Sequence, residues 1–162
     1  MLERPVAGGI VPGLLERAWL MIANADENRQ SRITHLDRGE PVEDTARVMS
    51  RMVDIIVIRA NSHAMVERFA AYSHVPVINA LTDMNHPCQL LADIQTYLEK
   101  RGDISGKKAA WIGDGNNVCH SWISASHQFK FRLDIATPEG YEPMAEWVSA
   151  CRDHVTLHHD PK

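Results

Sequence analysis

Four short apolar runs rich in β-branched residues constrain the fold of this chain more than any other feature. Each run is bounded by turn-forming residues, and segments with helical periodicity separate the runs. The runs cover residues 54–60, 75–81, 107–115 and 132–138. Neighbouring strands joined through helices need crossover connections, so they run parallel. The pattern therefore predicts an α/β fold, a parallel sheet with helices on both faces.

Five amphipathic helices are predicted between and after these runs. Ser62 is a suitable N-cap for the second helix, and Pro87 and Gly102 suit the start and the end of the third. The stretch 99–108, EKRGDISGKK, predicts a hinge between two sheets. The apolar faces are marked by Val42, Ala46, Met49 and Val53, by Met65, Val66, Phe69 and Ala70, by Leu90, Leu91, Ile94 and Leu98, by Val118, Trp122 and Phe129, and by Met144, Trp147, Val148 and Cys151.

Composition narrows the class of protein. The chain has 162 residues, 44% of them apolar, and a formal charge of -4, which suits one sizeable core, or one domain and part of another. No block of like charges points to nucleic acid or an anionic membrane. No apolar stretch approaches a membrane span and no signal peptide is recognised. Three widely spaced cysteines without a Cys-x-x-Cys pair favour a reducing compartment. The sequence thus predicts a cytoplasmic protein that binds small molecules or other protein chains.

Polar residues at the carboxyl ends of the predicted strands are the candidate site residues, because ligands bind there in parallel sheets. Arg59 lies at the end of the first strand, and His86-Pro87-Cys88-Gln89 follows the second. Pro87 places His86 and Gln89 three residues apart on one side of a helix N-terminus. An imidazole, a primary amide and a guanidinium can together bind and polarise a carbamoyl group. An ordinary helix cap beside an arginine that pairs with a carboxylate fits the same spacing.

The segment Gly113-Asp114-Gly115-Asn116-Asn117 occupies the position of the glycine-rich turn in a dinucleotide fold. The fingerprint fails because the third glycine is missing. The two asparagines offer donors and acceptors for the ammonium and carboxylate of an amino acid, but a strand-to-helix turn capped by an asparagine explains them as well. A nucleotide-dependent oxidoreductase is therefore supported by this turn alone.

Two other features have ordinary explanations. The adjacent His158 and His159, followed by Asp160, point to opposite faces of an extended segment, so we predict no metal site there. Cys119 has no base at a suitable spacing, and we expect it to be a small buried apolar residue rather than a nucleophile.

Three segments resemble ornithine carbamoyltransferase in order and spacing, over residues 32–160. They are DRGEPVEDTARVMSRMVDIIVIR (37–59), VPVINALTDMNHPCQLLADIQTYLEKRG (75–102) and WIGDGNNVCHSWISASHQFKFRLDIATPEGYEP (111–143). Aspartate carbamoyltransferases share the His-Pro-x-Gln element but lack Asp-Gly-Asn-Asn, which favours the ornithine branch. Transcarbamylases that use a modified ornithine stay open as an alternative.

The resemblance implies a division of the chain and roles for four residues. Residues 32–102 would form part of a carbamoyl-phosphate domain, residues 103–162 the start of a Rossmann-like ornithine domain, and residues 1–31 would be unmatched. Arg59 and His86 would bond the carbonyl oxygen of carbamoyl phosphate, Gln89 its amide nitrogen, and Asn117 the amino-acid end of ornithine. Citrulline and phosphate would be the products. No metal or organic cofactor is implied, and the family assembles as trimer-based homo-oligomers.

The resemblance also implies segments that have no counterpart here. The family's phosphate-holding Ser-x-Arg-Thr-Arg segment is not found in residues 1–31, and its Asp-x-x-x-Ser-Met-Gly and His-Cys-Leu-Pro segments would fall after Lys162. We therefore expect an internal piece of such an enzyme. A catalytically incomplete remnant that acts through protein association stays open as the second interpretation.

Overall fold

The computed structural model describes the backbone of residues 19–25 and the whole of residues 41–160. This part of the chain forms two parallel three-stranded sheets, so the expected α/β class is confirmed. The strand orders are β1-β2-β3 and β4-β5-β6. The strands are β1 (Trp19–Ala25), β2 (Ile55–Ala60), β3 (Val77–Leu81), β4 (Lys108–Ile112), β5 (Arg132–Ala136) and β6 (Val155–His158), and the helices are α1 (Val42–Met49), α2 (His63–Tyr72), α3 (Pro87–Arg101), α4 (Asn117–Gln128) and α5 (Ala145–Ala150).

The four predicted strands correspond to β2 to β5, and the five predicted helices to α1 to α5. Strands β1 and β6 were not predicted. Strand β6 has only four residues, and polar side chains alternate with its two apolar ones, so its apolar signal is weak. The residues between Arg101 and Lys108 connect α3 to β4 and thus join the two sheets.

The first core lies on one face of the central strand β2. Ile56, Ile58 and Ala60 alternate along this strand and are almost completely buried. Helices α1 and α2 cover them with Ala46 and Phe69, both fully buried. Burying one large apolar side chain contributes about 1.5–3 kcal/mol, so the core fixes β2, and with it the position of Arg59 at its end.

The second core joins α3 to the second sheet. Leu90 and Ile94 of α3 pack in one cluster with Ile123 of α4 and with Phe131 and Ile135 beside and within β5. Helix α3 also packs against β3 of the first sheet. The N-terminus of α3 therefore lies between the two sheets, held from both sides.

The helix ends follow the predicted signals. Ser62 caps α2 and its hydroxyl accepts a hydrogen bond from the Met65 amide at 3.2 Å. Pro87 occupies the first turn of α3, and Gly102 ends the helix with a φ of 80°, a conformation that other residues rarely adopt. Asn116 caps α4, and its side-chain oxygen accepts from the amides of Val118 and Cys119.

Candidate active site

Arg59 lies at the carboxyl end of β2, and its side chain is exposed. The pairing of β2 with β3 shifts register between Ile58 and Arg59. The extra residue, Ala80, belongs to β3, so β2 keeps its regular alternation. Arg59 alternates with the buried Ile58 and Ala60, so its side chain lies on the face of β2 opposite the first core, where it can bind an anion or a carbonyl oxygen.

His86 is the residue that precedes α3, and it lies within the electrostatic reach of Arg59. Burial lowers the pKa of His86 below its usual value of 6.5, the positive charge of Arg59 lowers it further, and Asp93 opposes them. His86 is therefore a neutral imidazole at neutral pH. Its Nδ1 atom is buried and has no hydrogen-bond partner among the described residues. A buried polar atom without a partner costs about 1–3 kcal/mol, and a bound ligand would offset that cost.

Gln89 lies one turn into α3 on the same side as His86. Its side-chain nitrogen donates to Asp93 Oδ1 at 2.9 Å, and this bond fixes the orientation of the Gln89 amide. The remaining amide oxygen is not used in that bond and can accept from a primary amide. Asp93 was missed by the sequence analysis, although its place four residues after Gln89 on a helix is a usable signal.

The loop between β3 and α3, residues 82–86, is held by its own polar network. The hydroxyl of Thr82, which is fully buried, lies 3.0 Å from His63 Nδ1 and 3.2 Å from the Asn85 amide. The Thr82 amide also donates to the Asn85 carbonyl at 2.9 Å, and Asn79 donates to the Asn85 side chain. The backbone that leads into His86 is therefore a closed turn.

Asn117 is the first residue of α4, and it faces this loop from the second sheet. Its side-chain nitrogen donates to the Thr82 carbonyl at 2.7 Å. The cap of α4 is formed by Asn116, so the ordinary explanation for an asparagine in this turn applies to Asn116 and not to Asn117. The side-chain oxygen of Asn117 takes no part in the bond to Thr82 and can accept from an ammonium group.

The glycine turn before α4 is closed by protein backbone. A Cβ on Gly115 would lie 2.0 Å from the Pro143 nitrogen, and the Gly115 amide donates to the Tyr141 carbonyl at 2.7 Å. In a dinucleotide fold the pyrophosphate approaches such a glycine. Here the chain near Pro143 occupies that space, so the geometry gives no support to the oxidoreductase alternative.

Two more residues of α4 reach the loop, and neither was predicted as a site residue. His120 Nδ1 lies 2.9 Å from the Met84 carbonyl, and Ser121 Oγ accepts from the His86 amide at 2.7 Å. Both residues are only 5% exposed. The available signal was two polar residues on a helix face that also carries Asn117, at the spacing i, i+3 and i+4.

Cys119 and the two adjacent histidines have the following surroundings. Cys119 is fully buried, and burial, with the charge of Asp114, raises its pKa to about 12, so it is a poor nucleophile. His158 lies near Asp134 and His159 near Glu142, at 3.8 and 3.7 Å. Among the described residues no three His, Cys, Asp or Glu side chains form a group able to hold a metal ion.

Three of the four predicted site residues are related through charge and hydrogen bonding. The charges of Arg59 and Asp93 both act on His86, and Gln89 donates a hydrogen bond to Asp93. Asn117 lies on the other side of the loop that leads to His86. A positive fork, a neutral imidazole and an amide at a helix N-terminus are groups that can bind a small, polar and partly anionic ligand.

Comparison with known families agrees with this chemistry. Residues 18–99 match the family described as aspartate/ornithine carbamoyltransferase, carbamoyl-P binding domain. Residues 105–161 match its Asp/Orn binding domain. The chain belongs to the aspartate/ornithine carbamoyltransferase family. The match to the first domain reaches residue 18, which is further towards the N-terminus than the segments that carry the resemblance.

Individual relatives are ornithine enzymes. The chain is 60% identical over 131 residues to the ornithine carbamoyltransferase of Chromohalobacter salexigens, and 61% identical over 131 residues to that of Nitrosococcus oceani. Each match covers 81% of this chain and 43% of the relative. The chain thus spans less than half the length of these relatives.

Solved structures of such enzymes share the fold. The ornithine carbamoyltransferase of Burkholderia thailandensis superimposes with a TM-score of 0.79 at 42% identity, over 90% of this chain and 57% of the other. The enzyme of Pyrococcus furiosus gives a TM-score of 0.75 at 38% identity, over 88% of this chain and 54% of the other.

No helix in residues 41–160 is long and apolar enough to cross a membrane.

Proposed function

We propose that this chain contributes to the transfer of a carbamoyl group from carbamoyl phosphate to the side-chain amine of ornithine. The amine would attack the carbonyl carbon, the bond from that carbon to the phosphate oxygen would break, and the amine would lose one proton. Citrulline and phosphate would leave. The observation that supports this proposal most strongly is the juxtaposition of Arg59 with a neutral His86 at the N-terminus of α3.

Arg59 and His86 would stabilise the negative charge that develops on the carbonyl oxygen during attack. A neutral imidazole still has one N–H to donate, and the arginine supplies a fixed positive charge. Donors that are held in place before the reaction stabilise such a transition state without reorganisation. Gln89 would accept from the amide nitrogen of the carbamoyl group through the oxygen that its bond to Asp93 leaves available.

Asn117 would bind the amino-acid end of ornithine. Its side-chain oxygen can accept from the ammonium group, and it brings no positive charge that would favour a second substrate carboxylate. Aspartate has that second carboxylate, which needs a cationic partner once it is removed from water. The neighbours Gly115, Asn116, Val118 and Cys119 supply none. We therefore place the chain with the ornithine branch.

The experiment uses a graft, because the chain spans less than half of its relatives. Residues 32–160 would replace the matching segment of the Chromohalobacter salexigens enzyme, and citrulline would be measured with carbamoyl phosphate and ornithine. We expect turnover in the usual enzyme range of about 1–1000 per second, with no product from aspartate. The unmodified relative is the positive control.

The graft must first unfold cooperatively on heating, which shows that it is folded. A folded graft that makes no citrulline contradicts the proposal, and so does one that carbamoylates aspartate as readily as ornithine. The first result would contradict the proposed carbamoyl transfer. The second would contradict the proposal that the turn containing Asn117 selects ornithine over aspartate.

A cytosolic location and assembly into a homo-oligomer belong to the same proposal. Cys88, Cys119 and Cys151 are all free thiols, which is compatible with a reducing compartment. The homo-oligomer is supported by family membership alone.

A further inference from the structure

Three side chains on one face of α4 bind the backbone of the loop 82–86, and we call them the α4 clamp. They are spaced i, i+3 and i+4, so they share one side of the helix. Together they bond every second residue of the loop. Asn117 donates to the Thr82 carbonyl at 2.7 Å, His120 Nδ1 to the Met84 carbonyl at 2.9 Å, and Ser121 Oγ accepts from the His86 amide at 2.7 Å.

The neighbours of His120 fix its protonation state. The Met84 carbonyl can only accept, so Nδ1 must carry the hydrogen. The Met144 amide donates to Nε2 at 3.1 Å, so Nε2 must be unprotonated. The ring is therefore a neutral imidazole with one defined tautomer. It also stacks on Trp147 of α5, with centroids 5.5 Å apart and the planes 9° from parallel.

The single hydrogen of the Ser121 hydroxyl also has a fixed partner. It donates to the Asn117 carbonyl at 2.9 Å and accepts from the His86 amide. A serine hydroxyl has a single hydrogen to donate, so this arrangement leaves it no freedom to rotate. A buried hydroxyl in one orientation is a precise anchor for the residue that begins α3.

We propose that His120 and Ser121 are positioning residues for His86, a role that rests on the proposed function. They touch the backbone of the loop and not the reacting atoms. They would set the distance between the His86 ring and the carbonyl oxygen of the substrate. A displacement of about 1 Å in such a site can lower turnover about 100-fold. Helix α4, which lies in the region that matches the Asp/Orn binding domain, would thus hold His86, which lies in the region that matches the carbamoyl-P binding domain.

Hydrogen exchange in the full chain tests the physical part of the proposal. We expect Ser121→Ala and His120→Ala to speed exchange of the His86 amide by about tenfold or more, because the loop then opens locally. His120→Asn keeps a donor at the position of Nδ1 and should retain most of the protection. Ser124→Ala and His127→Ala, on the same helix but without a bond to the loop, are the controls.

Kinetics in the graft test the catalytic part. Ser121→Ala and His120→Ala should lower kcat by about tenfold or more with little change in KM for ornithine, His120→Asn should recover most of kcat, and the controls should match the unmodified graft. If the His86 amide exchanges at an unchanged rate in both folded alanine variants, the α4 clamp does not hold the loop and the proposal is overturned. Faster exchange with kcat within twofold overturns its catalytic role. An unmodified graft without activity would instead count against the proposed function, and the exchange result would still decide whether the clamp holds the loop.

Discussion

At the scale of single residues, the charge of Arg59 and the burial of His86 act in the same direction. Both disfavour the imidazolium, because a buried cation loses water and a neighbouring cation repels it. The enzyme chemistry proposed here needs a neutral donor at His86 and a permanent positive charge beside it. One arrangement of two residues supplies both.

Substitution of Arg59 should therefore be visible in the titration of His86. In Arg59→Gln the repulsion is removed while the burial remains, so the pKa of His86 should rise towards 6.5 without exceeding it. Nuclear magnetic resonance of the His86 ring in the full chain measures it. Arg152→Gln, an exposed arginine, is the matched control. An unchanged or lower His86 pKa in Arg59→Gln would show that the two side chains do not interact.

The same shift has a consequence for stability. The pKa of His86 is lower in the folded chain than in the unfolded chain, so the unfolded chain binds the proton first as the pH falls. The contribution of His86 to stability is complete above pH 6.5 and is lost as the pH falls through the folded pKa. Acidification in this window favours unfolding.

Residue identities and spacing predict part of the candidate site only. Arg59, His86 and Gln89 were predicted because they follow strands and flank a helix-starting proline. Asp93 and Ser121 were not, because their roles depend on which helix packs against which loop. His120 in particular is a polar residue at a buried position, and the sequence gives no sign of the Met84 carbonyl that it bonds.

At the scale of elements, the turn between β4 and α4 resembles a phosphate-binding turn in its glycines but has a different structural role. The glycines match a phosphate-binding turn in position, but Gly115 is required by the backbone near Pro143. Asn116 caps α4, so the side chain of Asn117 is available to donate a hydrogen bond to the Thr82 carbonyl. The pattern predicted the turn and the helix, while the function of each residue depended on its neighbours.

Gly115→Ala should destabilise the full chain. The added Cβ would meet backbone atoms of Glu142 and Pro143 at 2.0–2.4 Å, and backbone cannot move aside as a flexible side chain can. We expect the free energy of unfolding to fall by about 1–3 kcal/mol, measured by urea denaturation.

Glu139→Ala, at an exposed position shortly before segment 141–143, is the control, since it should change stability by no more than about 0.5 kcal/mol. A Gly115→Ala chain as stable as the unmodified one would mean that segment 141–143 does not pack against the turn.

At the scale of the whole molecule, the two sheets meet through α3 and α4. Helix α3 has its N-terminus in the candidate site and its apolar face in the second core, and α4 binds the loop that precedes α3. The α/β class and four of the six strands in the described part of the chain follow from the sequence alone. The meeting of the sheets does not, because it is set by packing between residues far apart in the chain.

The turnover of the graft with Arg59 or His86 replaced is the most direct test of the central claim that these two residues stabilise the carbonyl oxygen during carbamoyl transfer. Arg59→Ala and His86→Ala should each lower kcat by about 100-fold or more, the scale of losing one such donor. Arg152→Ala and His74→Ala, at exposed positions away from the site, should leave it unchanged. Turnover within twofold of the unmodified graft in both site variants would contradict the claim.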